Sequence, residues 1–334
     1  MLNDEEFFLY YNSEIKPIVD KFEQYRKEKL FEYRSRKAAY YVSILIFLII
    51  TFYFYPHFLK EISYNLMGLR RGSVDNYEFI LPVIIISIIG MIFSYFKMKN
   101  ARKEFDYNTK TQLYRQIIGF YPQLEYRPFS GVNSSTISES NLFPSYDAFK
   151  SENYIQGQYK SIKIILSQIQ LIKITQMDVT VNGYTKTINK EQPIFKGLFF
   201  ITSLNKKFSS TTYVIKDQLI KIFNDLPRRL KRVTLEDTAF ESEFDVYSDN
   251  QIEARYLLTP SFMERLIKLN QKAALRCCFV DNKLFLGLAM KDDFMPSLAL
   301  NEKVDYQRIK QVIQQIDILF EMVDTLKLDI NIGL

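Results

Sequence analysis

The spacing of apolar and polar positions changes character three times along this chain. From Ala38 to Tyr55 (AAYYVSILIFLIITFYFY) and from Phe79 to Phe96 (FILPVIIISIIGMIFSYF), 18 residues each, there is no charge, and no polar face recurs at helical spacing. As a helix each run rises about 27 Å, close to a hydrocarbon core of roughly 30 Å. The pattern predicts two transmembrane helices, 38–55 and 79–96, joined by an external connector over 56–78. Outside the runs the period becomes that of an amphipathic helix. Ile15, Ile18, Phe22 and Tyr25 form one stripe, and Ala101, Phe105, Leu113 and Ile117 form another. These predict an amphipathic helix within 1–37 and a helical stem over 97–128, closed at Tyr121-Pro122 because proline disfavours helical geometry in the residue before it. Ser130 to Ser140 (SGVNSSTISES) has linker composition and sets a boundary at 129–141.

Within 142–334 the period falls to two. Ile162, Ile164 and Leu166 alternate with other residues, and Ile169 and Leu171 shift phase, as a bulge requires. Val179 and Val181 lead to Asn182-Gly183, a dipeptide suited to a two-residue hairpin turn, with Thr185 and Thr187 beyond it. Pro193 to Phe208 reads as a strand buried on both faces, with Gly197 marking a bulge or a close backbone approach. Thr211 to Ile215 is a further strand. Helices follow: Leu219, Ile222, Phe223 and Leu226 up to Pro227, then starts at Thr234/Asp237, Ser248/Gln251 and Thr259-Pro260. Leu275–Val280 and Lys283–Met290 form a hairpin turning at Asp281-Asn282. The last stripe, Ile309, Val312, Ile313, Ile316, Leu319, Phe320, Val323 and Leu326, predicts a long amphipathic helix. The fold class is therefore α+β: a transmembrane helical hairpin, then a cytoplasmic domain with an antiparallel sheet, helices and a long C-terminal helix.

Charge gives the hairpin a direction. Seven basic residues (Lys21, Arg26, Lys27, Lys29, Arg34, Arg36 and Lys37) precede the first run, and Lys97, Lys99, Arg102, Lys103, Lys110 and Arg115 follow the second. In the connector, Lys60, Arg70 and Arg71 are balanced by Glu61, Asp75 and Glu78, which places both termini in the cytoplasm. Net charge is +6, and most of the excess lies beside the apolar runs, so nucleic acid is not the expected partner. Two adjacent cysteines, Cys277 and Cys278, fit a reducing compartment and a packing role.

Three blocks together, FKGLFF (Phe195–Phe200), LNKKF (Leu204–Phe208) and TLEDTAFESEFDVYSDNQIEARYLLTPSFMERL (Thr234–Leu266), resemble a family of bacterial two-span membrane proteins. Their cytoplasmic domain is catalogued as domain-of-unknown-function family 3137. The resemblance spans about residues 5–330 and implies architecture and bacterial origin. It carries no reaction, cofactor or catalytic residue.

His57 is the sole histidine and lies just past the first run, which excludes Ser-His or Cys-His pairs and His/Cys zinc sites from the cytoplasmic domain. Neither a P-loop nor GxGxxG occurs. The clustered carboxylates Glu236, Asp237, Asp249 and Glu253 suit acid–base work or a hard cation, but helix capping accounts for Asp237 and Asp249. No catalytic, cofactor-binding or metal-binding residue is assigned. Glu253, Arg255 and Tyr256 form a candidate partner surface. Lys97, Lys99, Arg102 and Lys103, with Arg228, Arg229, Lys231 and Arg232, are candidate lipid-facing cations. The expected partners are the bilayer, anionic lipid included, and an unidentified protein. The reading is a non-enzymatic, membrane-tethered interaction or regulatory module of the bacterial inner membrane, multi-pass. The alternatives are a carboxylate-dependent hydrolase or metal enzyme, and a secreted bacterial protein inserted into a host membrane.

Overall fold

A computed structural model describes residues 4–66, 80–160, 162–181, 184–204, 207–216, 229–326 and 328. The chain forms two compact units, one made of residues 2–113 and 297–306, the other of 114–296 and 307–334.

The first unit is helical. Helix α1 (Asp4–Tyr10) passes through a π-helical turn, Tyr11–Ile15, into α2 (Lys16–Leu66). Pro17 explains the wider turn: it has no N–H to donate, and its ring crowds the carbonyl four residues back. The amphipathic stretch, the first apolar run and part of the expected connector are thus one continuous helix. α3 (Ile80–Asn108) carries the second run. Both helices are long and apolar enough to cross a membrane, with only 0% and 11% of their most apolar stretches buried. A soluble core helix would be covered, so this exposure supports membrane association. Small residues line the side where they meet: Ser87 and Ser94 are buried, and a Cβ on Gly90 would touch the Ser43 hydroxyl at 3.4 Å.

Below the apolar runs the two stripes pack as a stem. Phe22 and Tyr25 face Phe105 with ring centroids 5.6 and 6.4 Å apart, Asn108 donates to the Tyr25 hydroxyl at 2.5 Å, and Lys29 pairs with Glu104 at 2.9 Å. The strap 297–306 belongs to this unit. Leu298, Leu300 and Val304 are buried, and the Tyr306 ring lies 5.4 Å from Phe7 and 4.9 Å from Tyr11.

The second unit is built on a sheet. After α4 (Arg115–Ile118) come β1 (Leu124–Arg127), α5 (Ser134–Glu139), β2 (Ala148–Tyr159), β3 (Ile162–Val181), β4 (Tyr184–Ser203), β5 (Thr212–Ile215) and β6 (Lys231–Arg232). Then follow α6 (Thr238–Glu243), β7 (Asp245–Ser248), α7 (Gln251–Leu257), α8 (Pro260–Lys272), β8 (Leu275–Val280), β9 (Lys283–Ala289) and α9 (Tyr306–Leu326). The nine described strands lie in the order β1-β2-β3-β4-β9-β8-β5-β7-β6, each pair antiparallel. The α+β class holds, and α9 buries all eight residues of the stripe plus Met322. Asp281 and Asn282 both have positive φ (49° and 58°), the two left-handed residues that a type I′ hairpin needs.

The middle of the sheet is buried on both faces. On one, Phe143 packs on Phe195 and Phe199 (4.6 and 5.7 Å) beside Val132, Ile137 and Leu142. On the other lie α8 and α9, with Phe262 of α8 5.8 Å from Phe279 and Phe320 of α9 4.6 Å from Tyr159.

Several expectations change. Ser130–Ser140 is not a linker: Asn133 caps α5 by accepting from the Thr136 amide, and Val132 and Ile137 enter the core. Leu124–Arg127, read as the end of the stem, is a strand paired with β2. The phase shift after Leu166 does not mark a bulge in β3. The bulge is in β2, where Asn153 and Tyr154 stand opposite Ser167, and β3 loses its alternation because both of its faces are buried. Gly197 is a close approach, since a Cβ there would collide with the Leu288 carbonyl oxygen. The Asn182-Gly183 turn and the Leu219–Leu226 helix lie outside the described residues.

Candidate functional site

In β4 and β9, Leu198 pairs directly with Leu288, so both side chains rise from the same face of the sheet. Above them stand Leu269 near the end of α8 and, one turn apart on α9, Ile318 and Met322. With Met290 they wall a cavity of about 620 Å³. Its rim is charged, carrying Lys272 ion-paired with Glu321, and Lys291 beside Asp292.

A buried polar network fixes the loop that closes one side. The Gln168 amide oxygen accepts from the Phe294 amide (2.8 Å), and its NH2 donates to Asp293 (3.0 Å), which Lys196 also pairs at 2.8 Å. Asn153 donates to the Phe294 carbonyl (2.8 Å) and accepts from the Tyr126 hydroxyl (2.9 Å). Burial pushes the Tyr126 phenol far above its ordinary range, so it stays a donor. Asn153 has φ of 55° at the β2 bulge, a conformation that asparagine tolerates better than most residues. Gln315 of α9 completes the clamp by accepting from the Met295 amide at 2.7 Å.

The residues singled out in the sequence lie elsewhere. Glu253 on α7 accepts from the Ser210 amide at 2.8 Å and the Ser209 amide at 3.0 Å, and hydrogen bonds from Ser210 and Ser209 hold its carboxyl below the usual range. Arg255 is exposed and donates to the Thr234 and Gln251 carbonyls (3.1 and 3.2 Å), while Tyr256 is half-buried. Asp237, not Thr234, caps α6 by accepting from the Phe240 amide. Asn250, not Ser248, caps α7, and Asp249 accepts from the Thr211 amide. Each of these three carboxylates is thus occupied by backbone.

Of the basic residues, Lys97, Lys99, Arg102 and Lys103 are exposed on α3, with the Lys97 ammonium 5.7 Å from the Phe93 ring. Lys231 is exposed, Arg229 lies 3.7 Å from Asp249, and Arg232 pairs at 2.7 Å with the buried Asp245. Two cations of that run are therefore engaged by the carboxylates of Asp249 and Asp245, and Arg228 lies outside the described residues. Cys277 and Cys278 are both fully buried, and burial raises both thiols well above neutrality.

Sequence reasoning missed the cavity and its network. It also missed Arg276, buried on the opposite face of the sheet between the rings of Phe143 (5.3 Å) and Phe195 (5.1 Å), where desolvation lowers its pKa to about 10. One signal was available: FKGLFF was singled out, and Leu198 is in it.

Residues 193–328 match the model of a family described as Protein of unknown function (DUF3137), in agreement over that stretch with the resemblance read from the three blocks. Every residue lining the cavity falls inside the match. No curated protein matches the chain. A solved structure, titled crystal structure of the mycobacterial trehalose monomycolate transport factor A, TtfA, aligns over 64% of this chain and 93% of its own at 9% identity. Its TM-score of 0.32 is too low to bear on function.

Proposed function

We propose that this chain is a membrane-anchored, non-enzymatic binding module of the bacterial inner membrane, with both termini cytoplasmic, whose cavity receives an apolar anchor of a partner protein. The observation that carries this reading is the cavity, walled by Leu198, Leu269, Leu288, Met290, Ile318 and Met322 and rimmed by charge of both signs. Apolar walls with a few polar groups at the mouth suit binding, and about 620 Å³ accommodates large anchor side chains. The backbone bonds that occupy Asp237, Asp249 and Glu253 favour a module over a carboxylate enzyme. The balanced connector between basic flanks supports the orientation.

The test is a photo-crosslinking amino acid at Met290, in the cavity wall, compared with one at Ser261, away from it. A discrete adduct is expected in cells from Met290 alone, lost on Ile318→Arg while the protein keeps its melting temperature. A deletion strain complemented fully by Ile318→Arg, with no adduct from Met290 in the parent, would refute the reading.

A further inference from the structure

The β3–β4 hairpin is longer than the sheet that holds it. β2 leaves β3 at the Ala148–Ile172 pair, and β9 flanks β4 only from Gly197 to Ser203. Beyond that, Lys173–Val181 and Tyr184–Gln192 run on as nine cross-strand pairs with no described strand beside them. At ~3.3 Å per residue this arm is about 30 Å long. A bulge marks its base, where Ile194 is extra between the Leu171–Phe195 and Ile172–Pro193 pairs. Proline lacks the N–H that an inner strand would use, so Pro193 is tolerated where the neighbours end.

Side chains of directly paired residues share a face, and the two faces of this arm differ in kind. One presents Thr175, Met177 and Val179 with Lys186, Ile188 and Lys190; the other presents Ile174, Gln176 and Asp178 with Thr187, Asn189 and Glu191. Met177, Val179 and Ile188 are exposed, as are Lys186 and Lys190. The acids are confined to the opposite face, where Asp178 accepts from the Thr187 hydroxyl at 2.7 Å. Lysines that merely guarded the open strand edges would have no reason to share a face with the apolar residues and leave the acids on the other.

We infer that this arm is a lipid-contacting element, laying its Met177–Val179–Ile188 face on an anionic bilayer surface with Lys186 and Lys190 reaching the headgroups. Apolar side chains interleaved with long basic ones match the boundary between acyl chains and anionic headgroups, where the alkyl stems stay in the apolar layer. The acidic face then points away from the lipid. The site is independent of the cavity and of whatever partner the cavity takes.

The experiment uses the full chain in proteoliposomes, so that arms on either side meet a bilayer. An environment-sensitive fluorophore is attached at Met177→Cys or, on the opposite face, at Gln176→Cys; the native thiols are buried and do not compete. The vesicles are phosphatidylcholine with or without phosphatidylglycerol, each doped with a nitroxide-labelled lipid. The Met177 probe should be quenched only in the anionic vesicles, and the Gln176 probe in neither. Lys186→Glu with Lys190→Glu should cut that quenching by at least about tenfold, and the Gln pair should cut it less. Equal quenching of both probes, quenching indifferent to phosphatidylglycerol, or no quenching of Met177 in any vesicle would each overturn the proposal. So would energy transfer between arms of two copies that persists in neutral vesicles, because the face would then be a protein interface.

Discussion

Arg26 and Leu300 stand 274 positions apart, yet the Arg26 guanidinium donates to the Leu300 carbonyl at 2.7 Å. The same side chain makes a two-point pair with Glu23, 2.7 Å on each arm, and Glu23 accepts from the Val304 amide at 3.1 Å. Both charges are buried. The strap 297–306 is thus fixed to the stem by a closed set of charged hydrogen bonds, while its flanks, 114–296 and 307–334, belong to the sheet unit. A stretch late in the chain completes an N-terminal structure.

Arg26→Met should therefore be severe. It leaves Glu23 buried without its partner, which costs about 3–5 kcal/mol, whereas Glu23→Leu with Arg26→Met removes both charges and should cost much less. Hydrogen exchange of the 300–304 amides reads this locally. If the single variant protects them as well as the double does, the pair is not what holds the strap.

The same pair makes the strap acid-sensitive. Hydrogen bonding from Arg26 holds the folded Glu23 carboxyl below its ordinary 4.5. Its contribution is then complete above that value and fades as pH falls through the lowered folded value. Exchange protection of the Val304 amide should be flat above about pH 5 and drop below pH 4. Glu23→Gln should flatten that drop.

The Ser130–Ser140 stretch supplies core, so a chain beginning at Ser140 should fail to fold. It lacks β1, Val132 and Ile137. One beginning at Tyr114 keeps them and should give a cooperative melt. A cooperative melt from the shorter chain would show that this stretch is dispensable.

At α7 the carboxylate and the arginine should separate. Glu253→Ala removes an acceptor shared by two backbone amides and should cost about 1–2 kcal/mol, with Gln recovering part because it still accepts. Arg255→Ala, on an exposed side chain, should change stability by less than about 0.5 kcal/mol. If that surface meets a partner, Arg255→Ala weakens its recovery at an unchanged melt. Thermal melts and quantitative co-purification check the two together.

Gly197→Ala should be among the costliest small changes in the domain. Its methyl meets the Leu288 carbonyl, which is backbone of a central strand and has no room to yield. Overpacking of this kind costs about 1–3 kcal/mol or more. The loss should appear as a lower melting temperature, together with exchange at the Leu288–Ala289 amides beside the cavity.

What the sequence determined by itself are the features whose cause is local. Two uncharged runs are long enough to cross a bilayer wherever the rest of the chain goes. The stripe from Ile309 to Leu326 repeats at helical period, Asp281-Asn282 accepts left-handed backbone, and Asp237 caps the helix that follows it. The tertiary structure alone decided where polar residues in strands find partners. Gln168 reaches Phe294 across 126 positions and Asn153 reaches it across 141, and no spacing rule anticipates either. A Ser- and Asn-rich stretch became core because two apolar residues, Val132 and Ile137, with Leu142 just beyond, were enough once a sheet face stood opposite. The cavity belongs to this second group: Leu198, Leu269, Leu288 and Ile318 come from four separate elements, and nothing local to any one of them marks the apolar space they enclose together.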